Sequence, residues 1–467
     1  MNERPCTQTD VLVVGGGPAG ATTAALLARQ GLEVTLLERT RFPRYHIGES
    51  LLPSLLPLLD LLGARETVER HGFVRKTGAY YDWGGRQWQL RFDGLGGAAQ
   101  YSFQVDRARF DHALLDHARA QGVRVHQETA ARTVAFRAGR ATSAAWTSAD
   151  GRHGTISFRH LVDASGRAGL LSARQLRTRR FHDAFRNVAV WGYWPGSVPV
   201  ETAPDGAICL FSLPDDGWFW TIPLHDGTLS VGLVTDRQSF ATARHRLGGT
   251  EALYADRIRR VPTLRRALAG AERTGGLRVE SDYSYVADRF CGPGWFLAGD
   301  AACFLDPLLS TGVHLAMYSG MLAAASVAAS VQSDVSEGEA LAFYQGAYRH
   351  AYERLLILVG AFYDIHQGQE SHFRRAQRLS RRDQRGLRLH EAFLHIVSGV
   401  EDLHDAQGDA SSRLFTALRE PLPGRPAVGL GGHGASLMTP WPTEPEQAVA
   451  GLRLVLDPVL GLRRSDS

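Results

Sequence analysis

The chain carries one lysine, Lys76, among 52 basic residues. Arginine stays charged inside a protein, whereas a buried lysine can shed its proton and serve as a base or nucleophile. Arg75 stands next to it, so a simple cation was readily written as arginine here, and Lys76 is the first residue to place. A second chemical signal opens the chain. The glycines Gly15, Gly17 and Gly20, with Ala19 between the last two, form a G-x-G-x-x-G turn, and Glu38 follows eighteen residues after Gly20 with Arg39 beside it. Such glycines let the backbone approach a pyrophosphate at a helix N-terminus, and the acid accepts from a ribose hydroxyl.

A third signal lies far downstream. Residues 295–302 read as a strand running into a small-residue turn and a helix, with Asp300 placed to bind a ribityl hydroxyl, which favours FAD over NAD as the dinucleotide. Ser310, Thr311 and Gly312 then open an uncharged helix whose first N–H groups face outward at the positive end of a dipole. A halide or the electron-rich edge of a flavin suits that terminus, and an ordinary side-chain N-cap by Ser310 or Thr311 is the alternative. Trp218 and Trp220, two apart, share one face of a strand and could wall a pocket or simply fill a core. No His/Cys ligand spacing is present, so no metal is expected.

The elements that must position these groups follow from the pattern. Residues 10–14 and 33–37 read as strands flanking an Ala/Leu-rich helix, a βαβ unit. The expected class is α/β: a Rossmann-type FAD-binding domain with an inserted strand-rich substrate domain and a helical C-terminal region. The FAD-binding domain is expected to be discontinuous over 1–80, 105–180 and 280–345. A substrate-covering β-rich region spans 81–104 and 185–279, and helices fill 346–467. With 44% hydrophobic and 21% charged residues the composition is that of a globular protein, and a net charge of +4 argues for neither nucleic acid nor a membrane surface. The uncharged stretch 308–333 is rich in Gly, Ser and Ala, which reads as a buried helix and not a membrane span. Four dispersed cysteines, with no export signal, fit the cytoplasm.

Further segments narrow the reading to a family. Gln104-Val105-Asp106-Arg107 and Leu161-Val162-Asp163-Ala164-Ser165-Gly166-Arg167 resemble flavoproteins of the para-hydroxybenzoate hydroxylase type. Gly48-Glu49-Ser50, the W-x-W-x-I-P of Trp218, Trp220, Ile222 and Pro223, and Asp306-Pro307…Ser310-Thr311-Gly312 together resemble the flavin-dependent halogenases of secondary metabolism, over residues 8–365. The resemblance implies a two-component enzyme, with reduced FAD supplied by a separate flavin reductase. Glu49, Ser50 and Arg107 would join the cofactor site, and chloride or bromide would bind near Ser310, Thr311 and Gly312. Hypohalous acid would pass to Lys76, held there or converted to a haloamine. Trp218, Trp220, Phe304 and Leu309 would form the substrate pocket.

Leu309 stands where tryptophan halogenases carry a glutamate, which favours a phenol or pyrrole over free tryptophan, either as a free small molecule or tethered to a carrier protein. His46, His225 and His314 are candidates for a phenol-activating base, each with a structural role as its alternative. Two other readings stay open: an aromatic hydroxylase on the same fold, and a non-catalytic flavoprotein serving as a binding module.

Overall fold

The computed structural model describes residues 5–366 and 448–465, apart from 84–85, 96–99, 183–184, 214–216, 282 and 458. Strand Gln8–Val14 lies inside a sheet because its Val/Leu run meets apolar groups on both faces, as parallel strands require. It pairs in parallel with Val34–Leu37 on one side and His153–Asp163 on the other, and Arg124–His126 and Trp295–Leu297 extend the parallel order outward. The glycine-rich turn leaves this strand directly into helix Pro18–Arg29, whose first residue is proline.

Helix Gly312–Gln332 packs along Pro18–Arg29 and is buried over almost its whole length. It is long and apolar enough to cross a membrane by length and composition, but its surroundings here are protein. Its small residues are the packing surface: a Cβ at Gly320 would stand 2.6 Å from the Ala19 carbonyl oxygen. Thr23 Oγ1 bonds the Gly320 carbonyl across that contact at 3.1 Å.

The second layer is a seven-stranded sheet. Gly217–Pro223 runs antiparallel to both Ile208–Leu213 and Thr228–Asp236, and Gly78–Trp83 joins the far side of Ile208–Leu213 in parallel. Trp218 and Trp220 face one apolar layer while Phe219 faces another, the alternation expected of a strand. Phe219 packs under helices Arg237–Leu247, Thr250–Arg259 and Pro262–Ala267. The strand-rich reading of 185–279 missed these three helices. Their apolar spacing is sparse, and capping starts the first of them, with Asp236 Oδ1 accepting from the Gln238 and Ser239 amides at 2.8 and 3.0 Å.

The expected helical C-terminus also needs amending. Helix Glu337–His366 enters that region, and 367–447 lie outside the described residues. Beyond them Leu452–Val455 and Gly461–Arg464 form an antiparallel hairpin, since Leu452, Leu454 and Leu462 alternate inward.

Candidate active site

A cavity of about 670 Å³ opens between the two layers, at the carboxyl ends of the parallel strands. Gly15, Gly17 and Ala19 form one wall, and Gly20 lies buried behind them in the helix. Gly15 has φ of +108° and a Cβ there would stand 2.2 Å from the Ala164 carbonyl oxygen, so no other residue fits. Glu38 and Arg39 line the same wall. Glu38 Oε2 accepts the Gly16 amide at 2.7 Å and Oε1 accepts the Thr40 amide at 2.9 Å. The acid therefore pins the glycine turn and keeps lone pairs for a further donor such as a ribose hydroxyl.

Segment 44–50 forms the facing wall. Arg107 holds it in place. Nη1 donates to the Ile47 and Gly48 carbonyls at 2.8 and 3.2 Å. Nε and Nη2 grip Asp111 at 2.8 and 3.0 Å. Arg107 lines the cavity as expected, but its donors go to the protein's own wall. Ser50 also lines it, and Ser50 Oγ is buried with no hydrogen-bond partner among the described residues, as befits a group awaiting a ligand. Glu49 is buried with its carboxyl pushed up to about 7 by desolvation, eased by the Ser230 and Tyr193 hydroxyls. Asp300 lines the far end and burial pushes it up to about 6, against the pull of Arg107, Arg167 and Arg179.

Ser310, Thr311 and Gly312 border the cavity at the start of the buried helix. Thr311 makes no side-chain cap, which leaves the first amides of the helix available. Gly312 lets the Phe304 ring approach: a Cβ there would lie 2.9 Å from Phe304 Cε2. Phe304 and Trp220 line the cavity, whereas Trp218 and Leu309 do not. Trp218 packs on Trp83 with ring centres 6.2 Å apart, and Leu309 sits in the same apolar layer.

Lys76 is also outside this cavity. It ends strand Val74–Lys76, opposite Ser102, and is 2% exposed. Its Nζ donates to the Leu51 carbonyl at 3.0 Å and stands 5.6 Å from the Phe92 ring centre. Burial pushes its pKa down to about 7. Phe92 and Leu52, beside the amine, belong to the same apolar layer as Trp220 and Leu309. A small neutral molecule crosses such a layer far more readily than an ion does.

The three histidines separate. His46 lines the cavity and is held down to about 4, chiefly by burial and then by Arg107, so it is neutral. His314 Nδ1 meets Ser54 Oγ at 2.8 Å and its ring stacks on Tyr318, and His225 hydrogen-bonds Arg109. Both serve packing. Reading the sequence missed Arg44, Arg132 and Arg174, which also line the cavity and suit a diphosphate. No local pattern in the sequence marked Arg132 or Arg174.

Comparison with known proteins agrees with this geometry. The family model described as tryptophan halogenase matches residues 10–99 and 93–408. The chain is 45% identical over 413 residues to the tryptophan 2-halogenase of Chondromyces crocatus, covering 86% of this chain and 77% of that one. It is 39% identical over 373 residues to a flavin-dependent halogenase of Penicillium aethiopicum, covering 75% and 70% of the two chains. Among solved structures, the myxobacterial chondrochloren halogenase, an FAD-dependent variant, superposes with a TM-score of 0.75 at 34% identity, covering 84% of this chain and 90% of that one. A glycine-turn cavity bordered by Trp220 and Ile222 of a W-x-W-x-I-P strand, and these similarities along most of the chain, have one common reading: the protein belongs to the flavin-dependent halogenases.

Proposed function

We propose that this enzyme installs chlorine or bromine on an electron-rich aromatic ring, a phenol or pyrrole, with Lys76 guiding the electrophile. The observation that carries the reading is a buried amine near its neutral form, set behind an apolar layer from a dinucleotide-sized cavity. Bound reduced FAD would supply the electrons that convert oxygen and halide into hypohalous acid. Gly15, Gly17 and Glu38 would hold the dinucleotide, with Arg39 and Arg44 facing its phosphates and Ser50 and Asp300 its hydroxyls. The uncapped amides after Thr311 would hold the halide, where the helix dipole favours an anion. Hypohalous acid is small and neutral, which suits passage through the Trp220 layer to Lys76. There the amine either donates a hydrogen bond or forms a haloamine, and only the neutral amine can do the latter.

A phenol or pyrrole is supported by Leu309, which offers no carboxylate to assist a less activated ring. An indole is the second reading, favoured by the name of the Chondromyces relative. A separate flavin reductase would deliver the reduced cofactor, and the substrate would arrive free or on a carrier protein. Four free thiols, three of them buried, fit a reducing cytoplasm. Mass spectrometry tests the function directly. The enzyme is incubated with FAD, a reductase, chloride or bromide, and a panel of phenols, pyrroles and indoles. A halide-dependent mass gain is expected; an oxygen mass gain that ignores halide would mark a hydroxylase instead.

A further inference from the structure

Halogenating an aromatic C–H bond has a proton balance. Reduced flavin, oxygen, halide, arene and one proton give oxidised flavin, haloarene and two waters. Each halide is consumed with a proton, which must reach the cavity from solvent. This reasoning rests on the halogenase reading above.

Glu49 lines the cavity and is 3% exposed. Its Oε1 accepts from the Tyr193 hydroxyl at 2.8 Å, and its Oε2 has no hydrogen-bond partner among the described residues. The Tyr193 oxygen lies 2.8 Å from the Tyr45 hydroxyl, which accepts from Trp191 Nε1 at 2.7 Å. An indole N–H can only donate, and Tyr193 spends its own proton on Glu49. The Tyr45 proton must therefore point at Tyr193, so the whole chain donates inward. Its outer end is open, since Tyr45 is 42% exposed at the rim of the cavity that it also borders. A second indole acts from the other side: Trp220 Nε1 donates to Ser230 Oγ at 3.4 Å, and the Ser230 hydroxyl stands beside the same carboxyl.

We propose that Tyr45, Tyr193 and Glu49 form a proton path from solvent into the flavin cavity, with Glu49 the acid at its inner end. Glu49 gives its Oε2 proton to a basic atom in the cavity while Oε1 takes the Tyr193 proton. Tyr193 takes the Tyr45 proton and Tyr45 takes one from water, so each O–H bond broken is matched by one formed. The Tyr193 phenol is driven far above its usual range by burial and by Glu49, so it relays in concert and does not stand as an anion. The groups facing the path are Arg107 and Asp106 at Glu49, Arg278 over the Tyr45 ring at 3.6 Å, and His46 next along the chain, which burial keeps neutral. Trp191 and Trp220 are positioning residues, and the second gives the W-x-W-x-I-P strand a task beyond walling the pocket.

The test compares wild type, Glu49→Gln, Tyr193→Phe and Tyr45→Phe, each loaded with oxidised FAD. In the infrared, wild type should show a protonated-carboxyl band that fades as pH rises through about 7 and is missing in Glu49→Gln. The band should exchange quickly in heavy water, and slowly in both phenylalanine variants. In turnover at saturating FAD, Glu49→Gln should lose about 100-fold and each phenylalanine variant roughly tenfold, with a larger solvent isotope effect. Wild-type rates, isotope effects and exchange in both phenylalanine variants would overturn the path. A wild type that forms no halogenated product refutes the halogenase reading alone, because the infrared arm still reads the path. If Tyr193→Phe fails to fold, Tyr45→Phe at the exposed end decides.

Discussion

Replacing Lys76 by methionine should make the protein more stable while ending halogenation. The amine is 2% exposed, and burial carries its pKa from 10.5 to about 7. That difference is worth about 5 kcal/mol in favour of the neutral form. The folded value lies below the unfolded one, so between these limits the unfolded chain binds a proton that the folded chain lacks. Stability from this residue therefore rises with pH across the window, and its cost is fully present below it. The cost works out at roughly 4 kcal/mol near pH 7 and roughly 2 kcal/mol near pH 9. These are ceilings, because the Leu51 carbonyl and the Phe92 ring both attract an ammonium.

Methionine keeps the unbranched shape and removes the charge. Denaturant unfolding of both proteins at several pH values should show Lys76→Met the more stable, by a margin that shrinks as pH rises. The same variant should bind FAD normally and give no halogenated product. Lys76→Arg should be less stable than wild type and equally inactive, since a guanidinium cannot neutralise itself in that site. A stability gap that stays constant with pH would mean that the amine does not change protonation there. Wild-type turnover by Lys76→Met would remove the lysine from the chemistry.

Three further outcomes follow from the cavity walls. Asp111→Asn strips the buried partner of Arg107 and should cost about 3–5 kcal/mol in unfolding experiments, with weaker FAD binding in a fluorescence titration. Glu38→Gln turns one acceptor oxygen into a donor facing either the Gly16 or the Thr40 amide, which should weaken FAD binding about tenfold, a loss of roughly 1–1.5 kcal/mol. Gly312→Ala drives a Cβ against Phe304 at 2.9 Å and should raise the halide KM roughly tenfold at 1–3 kcal/mol of overpacking. Adding Phe304→Leu should restore much of that loss, and an unchanged halide KM in the single variant would separate the helix terminus from the halide.

What was legible in the sequence was what is local. The glycine turn and Glu38 announce themselves because strand, turn, helix and strand are consecutive and each residue type has one physical use there. Trp218 and Trp220 share a face because a strand repeats every two residues, but only Trp220 reaches the cavity, a distinction set by where Trp83 and Leu309 pack. The Glu49 network was illegible for the opposite reason. Tyr193 and Ser230 come from adjacent strands of one sheet, Tyr45 and Glu49 from the other wall, and no sequence spacing joins them. The helices between 237 and 267 hid behind sparse apolar spacing and were fixed by a cap and by the sheet face they cover.

Segment 44–52 explains how one short stretch can serve two separated sites. Its outer part, from Arg44 to Ser50, faces the cavity, and the Ile47 and Gly48 carbonyls are held by Arg107. One residue further, the Leu51 carbonyl accepts from the Lys76 amine, and the Leu51 amide bonds the Phe103 carbonyl on the strand pair that carries the lysine. The amide of Val105 closes the same region by donating to the Glu49 carbonyl at 2.7 Å. Fewer than five residues of hydrogen-bonded backbone therefore join the cavity wall to the amine. The chain's one lysine is thus tied to the cavity wall by its own hydrogen bond, and an arginine at that position is expected to keep a donor to Leu51 without the ability to become neutral.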